Sequence, residues 1–276
     1  MLCADDYGMN EGVDEAVLTL AAAGRLSATS CLVTPPRWRK AATRLPTTTD
    51  RFASGLHINL TWGAPLGPMP GLAPQGALPP LGRLLWSALL RRLPAREIAG
   101  EISRQADAFC DATGRAPDFI DGHQHVHILP VIREALIAEA ARRGWNTKLW
   151  LRDPADRLAT IVGRPAAAKA ALVAWLSRRF NTIATRKGFR LNRGFSGFSD
   201  FAPTGDVAAA MPRYLDGLGT APLVMCHPGI DVLDPTDDIA AARTAEYLYL
   251  SSGTFDELLS ARSIRLTGRP AGWDMA

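Results

Sequence analysis

Two hydrophobic periods alternate along this chain. Leu2–Asp6 is a short apolar run of the kind that forms a buried strand. Asn10 follows as a helix N-cap, with Glu11, Asp14 and Glu15 near the positive end of the helix dipole. Val13, Val17, Leu20 and Ala21 then share one helical face until Gly24 closes the helix. The same succession recurs. Strands are predicted over Ser27–Thr34 (ending at Pro35-Pro36), Ala53–Leu60, Asp118–Gly122, Asn146–Arg152, Pro222–Cys226 and Ser263–Thr267. Ile98, Ile102, Ala106 and Phe109 mark a helix ending at Gly114, and Pro130 opens another, as its first helical residue, that ends at Gly144. The Gly/Pro-rich stretch Trp62–Leu81 reads as a long loop.

Strands alternating with helices pair in parallel through right-handed crossovers. The expected fold is α/β: a distorted, TIM-like (β/α) barrel of about seven strands with its active site at their C-terminal ends. An open doubly wound sheet is the alternative, but no GxGxxG motif follows the first strand. With no linker or repeat, the 276 residues are expected to form a single domain spanning 1–276. A composition of 47% hydrophobic and 21% charged residues provides for a sizeable core. The net charge of +4, without a basic stripe, gives no reason to expect nucleic acid. Cys3, Cys31, Cys110 and Cys226 lie far apart and read as reduced, buried side chains. No signal-peptide pattern and no span-length apolar run occurs, so a cytoplasmic location is expected. A first strand so near residue 1 implies either an upstream start or an unusually short strand.

The chemistry concentrates at predicted strand ends. All five histidines (His57, His123, His125, His127 and His227) sit at or just past such an end, as does the pair Asp5-Asp6. Two imidazoles and one carboxylate are a common ligand set for a catalytic divalent metal. Asp6, His57 and His123 can supply it, Asp5 can take a proton from water, and His227 can protonate a leaving amine. Together these suffice for amide hydrolysis. Singly, each has a plainer reading: Asp5-Asp6 as a turn and helix cap, His57 as a satisfied strand histidine. Three histidines within five residues, from His123 to His127, are seldom structural, and if extended they would share one face.

The segments Ala4-Asp5-Asp6-Tyr7-Gly8, Gly55-Leu56-His57-Ile58-Asn59-Leu60-Thr61, Asp121-Gly122-His123-Gln124-His125-Val126-His127 and Met225-Cys226-His227-Pro228 together resemble the YdjC-like carbohydrate deacetylases. That family includes enzymes acting on acetylated chitooligosaccharides and others linked to hopanoid glycolipid synthesis. The resemblance implies a distorted (β/α) barrel and one divalent metal ion held by Asp6, His57 and His123, with Asp5 as general base and His227 as general acid. It also implies an acetylated sugar as substrate, with His125 and Tyr7 near it. The family is often described with magnesium, whereas imidazole-rich sites favour zinc or its neighbours.

Relative to the chitooligosaccharide enzymes, the amino end is shorter and the region from Arg152 to Arg193 is longer. Leu158–Ser199 contains no Asp or Glu, and Pro165–Lys187 reads as a basic amphipathic helix within an insert at about 155–190, with Leu172, Val173, Leu176 and Ile183 apolar. Such a helix suits peripheral membrane contact, or an ordinary exposed barrel flank. Arg152 can bond a sugar hydroxyl or orient Asp5, and Trp62 and Trp150 can stack on a sugar ring. Another metal-dependent hydrolase (a phosphoesterase or cyclic amidohydrolase) and a non-catalytic glycan-binding protein are the alternatives. A homodimer is compatible with the sequence.

Overall fold

The computed structural model describes residues 1–202, 205–231 and 237–269. In chain order the elements are β1 (Leu2–Tyr7), α1 (Glu11–Ala22), β2 (Ala28–Cys31), α2 (Trp38–Ala42), β3 (Ala53–Ile58), α3 (Leu81–Leu89), α4 (Ala95–Thr113) and β4 (Phe119–Gly122). A 3-10 segment, His123–Ile128, leads into α5 (Ile132–Arg142), β5 (Trp150–Leu151), α6 (Leu158–Ile161), α7 (Ala167–Arg186), β6 (Arg190–Leu191) and β7 (Phe195–Ser196). The chain then forms α8 (Val207–Tyr214), β8 (Leu223–Cys226), α9 (Ala240–Leu250) and α10 (Gly253–Ala261).

The strands pair in parallel in the order β6-β5-β4-β3-β2-β1-β8-β7. The two outer strands are successive in the chain, separated only by residues 192–194, so one traverse pairs first with β5 and then with β8. Eight strand segments therefore make seven staves, and the edges of the curled sheet are joined through the chain itself. This wall has two cores. Outside, the helices pack on the sheet through residues such as Val13, Val17, Leu56, Ile98, Ile102, Phe109 and Leu136. Inside, Cys3, Ala28, Ala53, Phe119, Trp150, Phe195, Leu223 and Met225 form a separate cluster, against which Ile161 of α6 and Ala170 of α7 pack. Phe119 and Trp150 stack there at 4.5 Å, and a Cβ on Gly55 would lie 2.2 Å from the Phe119 ring. Only glycine leaves that ring its place.

α1 follows the sequence closely: the Asn10 side chain accepts from Val13 N, and Gly24 takes φ 69° beyond the helix. α4 ends at Gly114 with φ 70°. Two expectations need correction. Pro130 does not start α5; Val131, at φ 72°, caps the helix while the Glu134 carboxylate accepts the Val131 N–H at 2.6 Å. Ser263–Thr267 forms no strand; Ile264 and Leu266 pack on the outer core instead. The stretch from Trp62 to Pro80 is loop, as the pattern implied, and α3 begins at Leu81. β6 and β7 have no counterpart among the predicted strands, because each is only two residues long. The cysteines are free, as expected. Among the described residues, no helix is long and apolar enough to cross a membrane.

Candidate active site

The site is built at the C-terminal ends of β1, β3 and β4, beside β5 and β8. Neighbouring residues of a regular strand point to opposite faces, which would part Asp5 from Asp6. β1 avoids this with a bulge. Ala4 pairs with Thr29 and Tyr7 with Cys31, three residues against two, and Asp6 adopts φ 71°. Both carboxylates are thereby buried within the same charged network, Asp5 2% and Asp6 1% exposed.

Asp6 Oδ1 lies 3.0 Å from His123 Nδ1 and 3.4 Å from His57 Nε2. The donor atoms of these three residues all lie within 4.8 Å of one another. His57 is held from behind: its Nδ1–H donates to Asp121 Oδ1 at 2.7 Å, and Ser30 Oγ donates to the same oxygen. That bond fixes the tautomer and turns Nε2 toward Asp6. Two imidazole nitrogens and one carboxylate oxygen, oriented by a second carboxylate, fit a divalent cation. Burial opposes charge on His57, but Asp121 and then Asp6 raise its pKa to about 10. Without a cation His57 therefore carries a proton that a metal must displace. Burial likewise opposes charge on Asp6, yet Arg243 and then His123 hold its carboxyl well below the usual range. Arg243 of α9 bridges Asp6 Oδ2 and Asp237 Oδ2, each at 2.7 Å.

Asp5 is gripped from the far side. The fully buried Arg152, just beyond β5, donates to Asp5 Oδ2 at 2.6 Å and Oδ1 at 2.7 Å, and pairs with Asp121 Oδ2 at 2.6 Å. Both terminal nitrogens of Arg152 are thus engaged by buried carboxylates, an arrangement that would orient Asp5. Its guanidinium lies between the Phe119 and Phe195 rings, 6.0 and 5.8 Å from their centres.

His227 follows β8, and its backbone N–H donates to Glu246 of α9. Its ring meets Phe201 edge-on at 5.1 Å, while Nδ1 is buried without a partner among the described residues. Burial pushes the His227 pKa down to about 4, with Asp6 and then Asp5 pulling it back. This differs from the expected titration near neutrality, because the side chain is far more desolvated than a strand-end position implies.

Other candidates fall outside the donor cluster. His123–Ile128 is not extended: Gln124 and His125 adopt φ 52° and 59°, so the three histidines diverge. His125 packs edge-on against Phe195 and Phe198 at 5.7 and 5.1 Å, and burial lowers its pKa. His127 bonds the Arg152 carbonyl at 2.9 Å. Tyr7 cannot reach a substrate: it is fully buried and donates to the Ala41 carbonyl at 2.8 Å. Trp150 is the inner-core partner of Phe119, not an exposed platform. Trp62 is half-exposed just past β3, tied through its backbone to Asn59. Four residues in the network had been assigned no role. Asp121 stood inside a quoted motif, whereas Ser30, Arg243 and Glu246 carry no local signal and become visible only once β2 and α9 are placed.

A crystal structure from Enterococcus faecalis V583, assigned provisionally to cellobiose-phosphate cleavage, superposes with a TM-score of 0.74 at 22% identity, covering 96% of this chain and 95% of that one. It shows the same fold. A chitooligosaccharide deacetylase of Citrobacter koseri is 36% identical over 269 residues, 95% of this chain and 94% of that protein. One from Enterobacter sp. (strain 638) is 37% identical over 142 residues, 51% of this chain and 55% of the relative, so that alignment spans about half its length. The YdjC-like protein family matches residues 1–261, and with the full-length Citrobacter alignment this shows that the chain belongs to the YdjC-like family.

Proposed function

We propose that this protein is a metal-dependent hydrolase that removes the acetyl group from an N-acetylated sugar. The observation that carries the reading is the convergence of Asp6, His57 and His123 within 4.8 Å, with a second carboxylate and a further histidine beside them. A divalent cation in such a donor set lowers the pKa of water and polarises a carbonyl oxygen. The chain's own residues supply the rest. Asp5, held in one orientation by Arg152, accepts the proton that water loses as its oxygen bonds to the acetamide carbon. His227 is neutral at rest, so it takes up a proton during turnover and passes it to the sugar nitrogen as the C–N bond breaks. Acetate and a free amine leave, and the proton gained by nitrogen is one that water supplied.

The full-length relatives act on chitooligosaccharides by name, and acetylated glucosamine oligomers are the substrates to try first. Two imidazoles beside a single carboxylate favour zinc over magnesium as the cation. The test is acetate release from N-acetylglucosamine oligomers, with and without chelator, set against phosphate release from simple phosphoesters. Chelator-sensitive acetate release supports the reading; phosphate without acetate points to the phosphoesterase alternative, and neither points to a binding protein.

A further inference from the structure

Two connections that leave the catalytic edge carry exposed apolar side chains set among arginines. The first follows β3. In and just after α3, Trp86, Leu90 and Leu89 are 67%, 56% and 41% exposed, while Leu84 and Ala88 anchor the helix in the core. Arg83, Arg91 and Arg92 are exposed in the same stretch, and no Asp or Glu occurs from 51 to 96. Arg91 approaches one carboxylate, Glu134 of α5, at 3.7 Å.

The second follows β5. The sequence placed Leu172, Val173, Leu176 and Ile183 on one apolar face of α7, but the structure divides them. Ala170, Ser177, Phe180 and Ala184 face inward, whereas Leu172 and Trp175 are 52% and 60% exposed. On α6, which packs against α7, Leu158 and Val162 at its C-cap are 65% and 69% exposed. Residues 168, 172, 175, 179, 182 and 186 form a single exposed line along α7, apolar in its first half and with Arg179 and Arg186 in its second.

The turn after α3 and the first half of α7 lie toward the site's end of the barrel; Lys169, one turn before Leu172, sits over the Phe201 ring that meets His227. The strands are parallel, so a helix leading to the next strand starts at their C-terminal edge. α4 begins five residues after Leu90 and ends before β4; α7 carries Leu172 and Trp175 in its first half and ends before β6. The connections flank β4, which delivers His123.

We propose that these two patches dock the catalytic edge on an anionic phospholipid bilayer. Tryptophan and leucine ringed by arginine suit the boundary between headgroups and acyl chains, with the cations facing anionic lipid. The charge argues against a second copy of the chain as the occupant. Two such surfaces would bring arginines against arginines, with no acidic residue in either stretch to answer them. Docking turns the mouth of the site toward the lipid headgroups, where a membrane-borne acetylated glycan would present its sugar.

The test is co-sedimentation of the full chain with phosphatidylcholine vesicles, with or without phosphatidylglycerol, at low and high salt. Binding is expected to the phosphatidylglycerol vesicles at low salt, to weaken at high salt, and to be minor on pure phosphatidylcholine. Trp86→Ser combined with Trp175→Ser should cut the bound fraction about tenfold, since affinity follows buried apolar area. Arg92→Gln with Arg179→Gln should weaken binding and flatten its salt dependence. Both variants alter exposed side chains, so their circular dichroism and their hydrolysis of a soluble acetylated oligosaccharide should match the unmodified protein. Failure of the unmodified protein to bind anionic vesicles at low salt overturns the proposal. So does undiminished binding by the double tryptophan variant, or a dimer that the same variant abolishes in a protein that ignores lipid.

Discussion

The two sides of the barrel are held by different means. β1 and β3 run for six residues and β2, β4 and β8 for four, and their ladders of backbone hydrogen bonds make a continuous wall. β5, β6 and β7 have two residues each. There side chains do the joining. Asp153 accepts from Ser177 Oγ and, at 2.8 Å, from Asn181 Nδ2 of α7; Asn192 bonds the Asp153 backbone at both N–H and carbonyl, 2.7 and 2.9 Å. Arg164 reaches the Phe195 and Asp216 carbonyls at 3.0 and 2.6 Å. The long side carries the metal-ligand candidates and the proposed base, where precise placement matters most. Among the described residues, Arg152 is the side chain that crosses from the short side into that charged centre. The contrast is that a backbone ladder fixes position, whereas side-chain bonding permits a wall to be short and still closed.

The largest effect should come from the long side. Asp5→Asn is expected to lower acetate release on the order of 10²- to 10⁴-fold while metal still binds. Full turnover in that variant would remove Asp5 as the base and weaken the idea that the long side holds the chemistry. Arg152→Met tests the crossing residue. It strands two buried carboxylates and should cost about 3–5 kcal/mol in denaturant unfolding, with little change marking the two sides as independent. Asp121→Asn frees the His57 ring, and metal affinity by calorimetry should fall roughly 10- to 100-fold. Ser177→Ala, its counterpart on the short side, should lower stability by about 1 kcal/mol and leave metal affinity alone. The smallest effect is a slope. Burial raises the Glu246 pKa to about 7, above its ordinary 4.5, so the folded protein binds this proton more tightly than the unfolded chain. Stability from this group is present at low pH and is lost as pH rises from about 4.5 through 7. Glu246→Gln should remove that slope, and parallel melting midpoints at pH 5 and pH 7 for both proteins would contradict it.

The same division explains what the sequence made legible. Long strands are read from runs of apolar residues, so β1, β3, β4 and β8 were located to within about two residues, as were the Asp and His positions at their ends. A two-residue strand such as Arg190–Leu191 has no period to read; it exists because Asn192 and Asp153 hold it in place. Direction within a turn was equally hidden. His123, His125 and His127 look equivalent on paper, and only the left-handed residues Gln124 and His125 send them apart. Arg243 and Glu246 lie on a helix far along the chain, and neither the ion pair of Arg243 with Asp6 nor the bond from the His227 N–H to Glu246 leaves a local trace.

The bulge in β1 has a bearing on how this enzyme tolerates change. Because the extra residue sits between Ala4 and Tyr7, the proposed acceptor of the water proton and the carboxylate beside the imidazoles are adjacent letters of the sequence that nonetheless act on different neighbours, Arg152 on one hand and Arg243 on the other. Excising one residue here would restore ordinary alternation and swing one of these acids out through the wall among the helices. Loss of a single codon at that point is therefore more damaging than any replacement of either aspartate, since it removes one function and buries an unanswered charge in the same stroke.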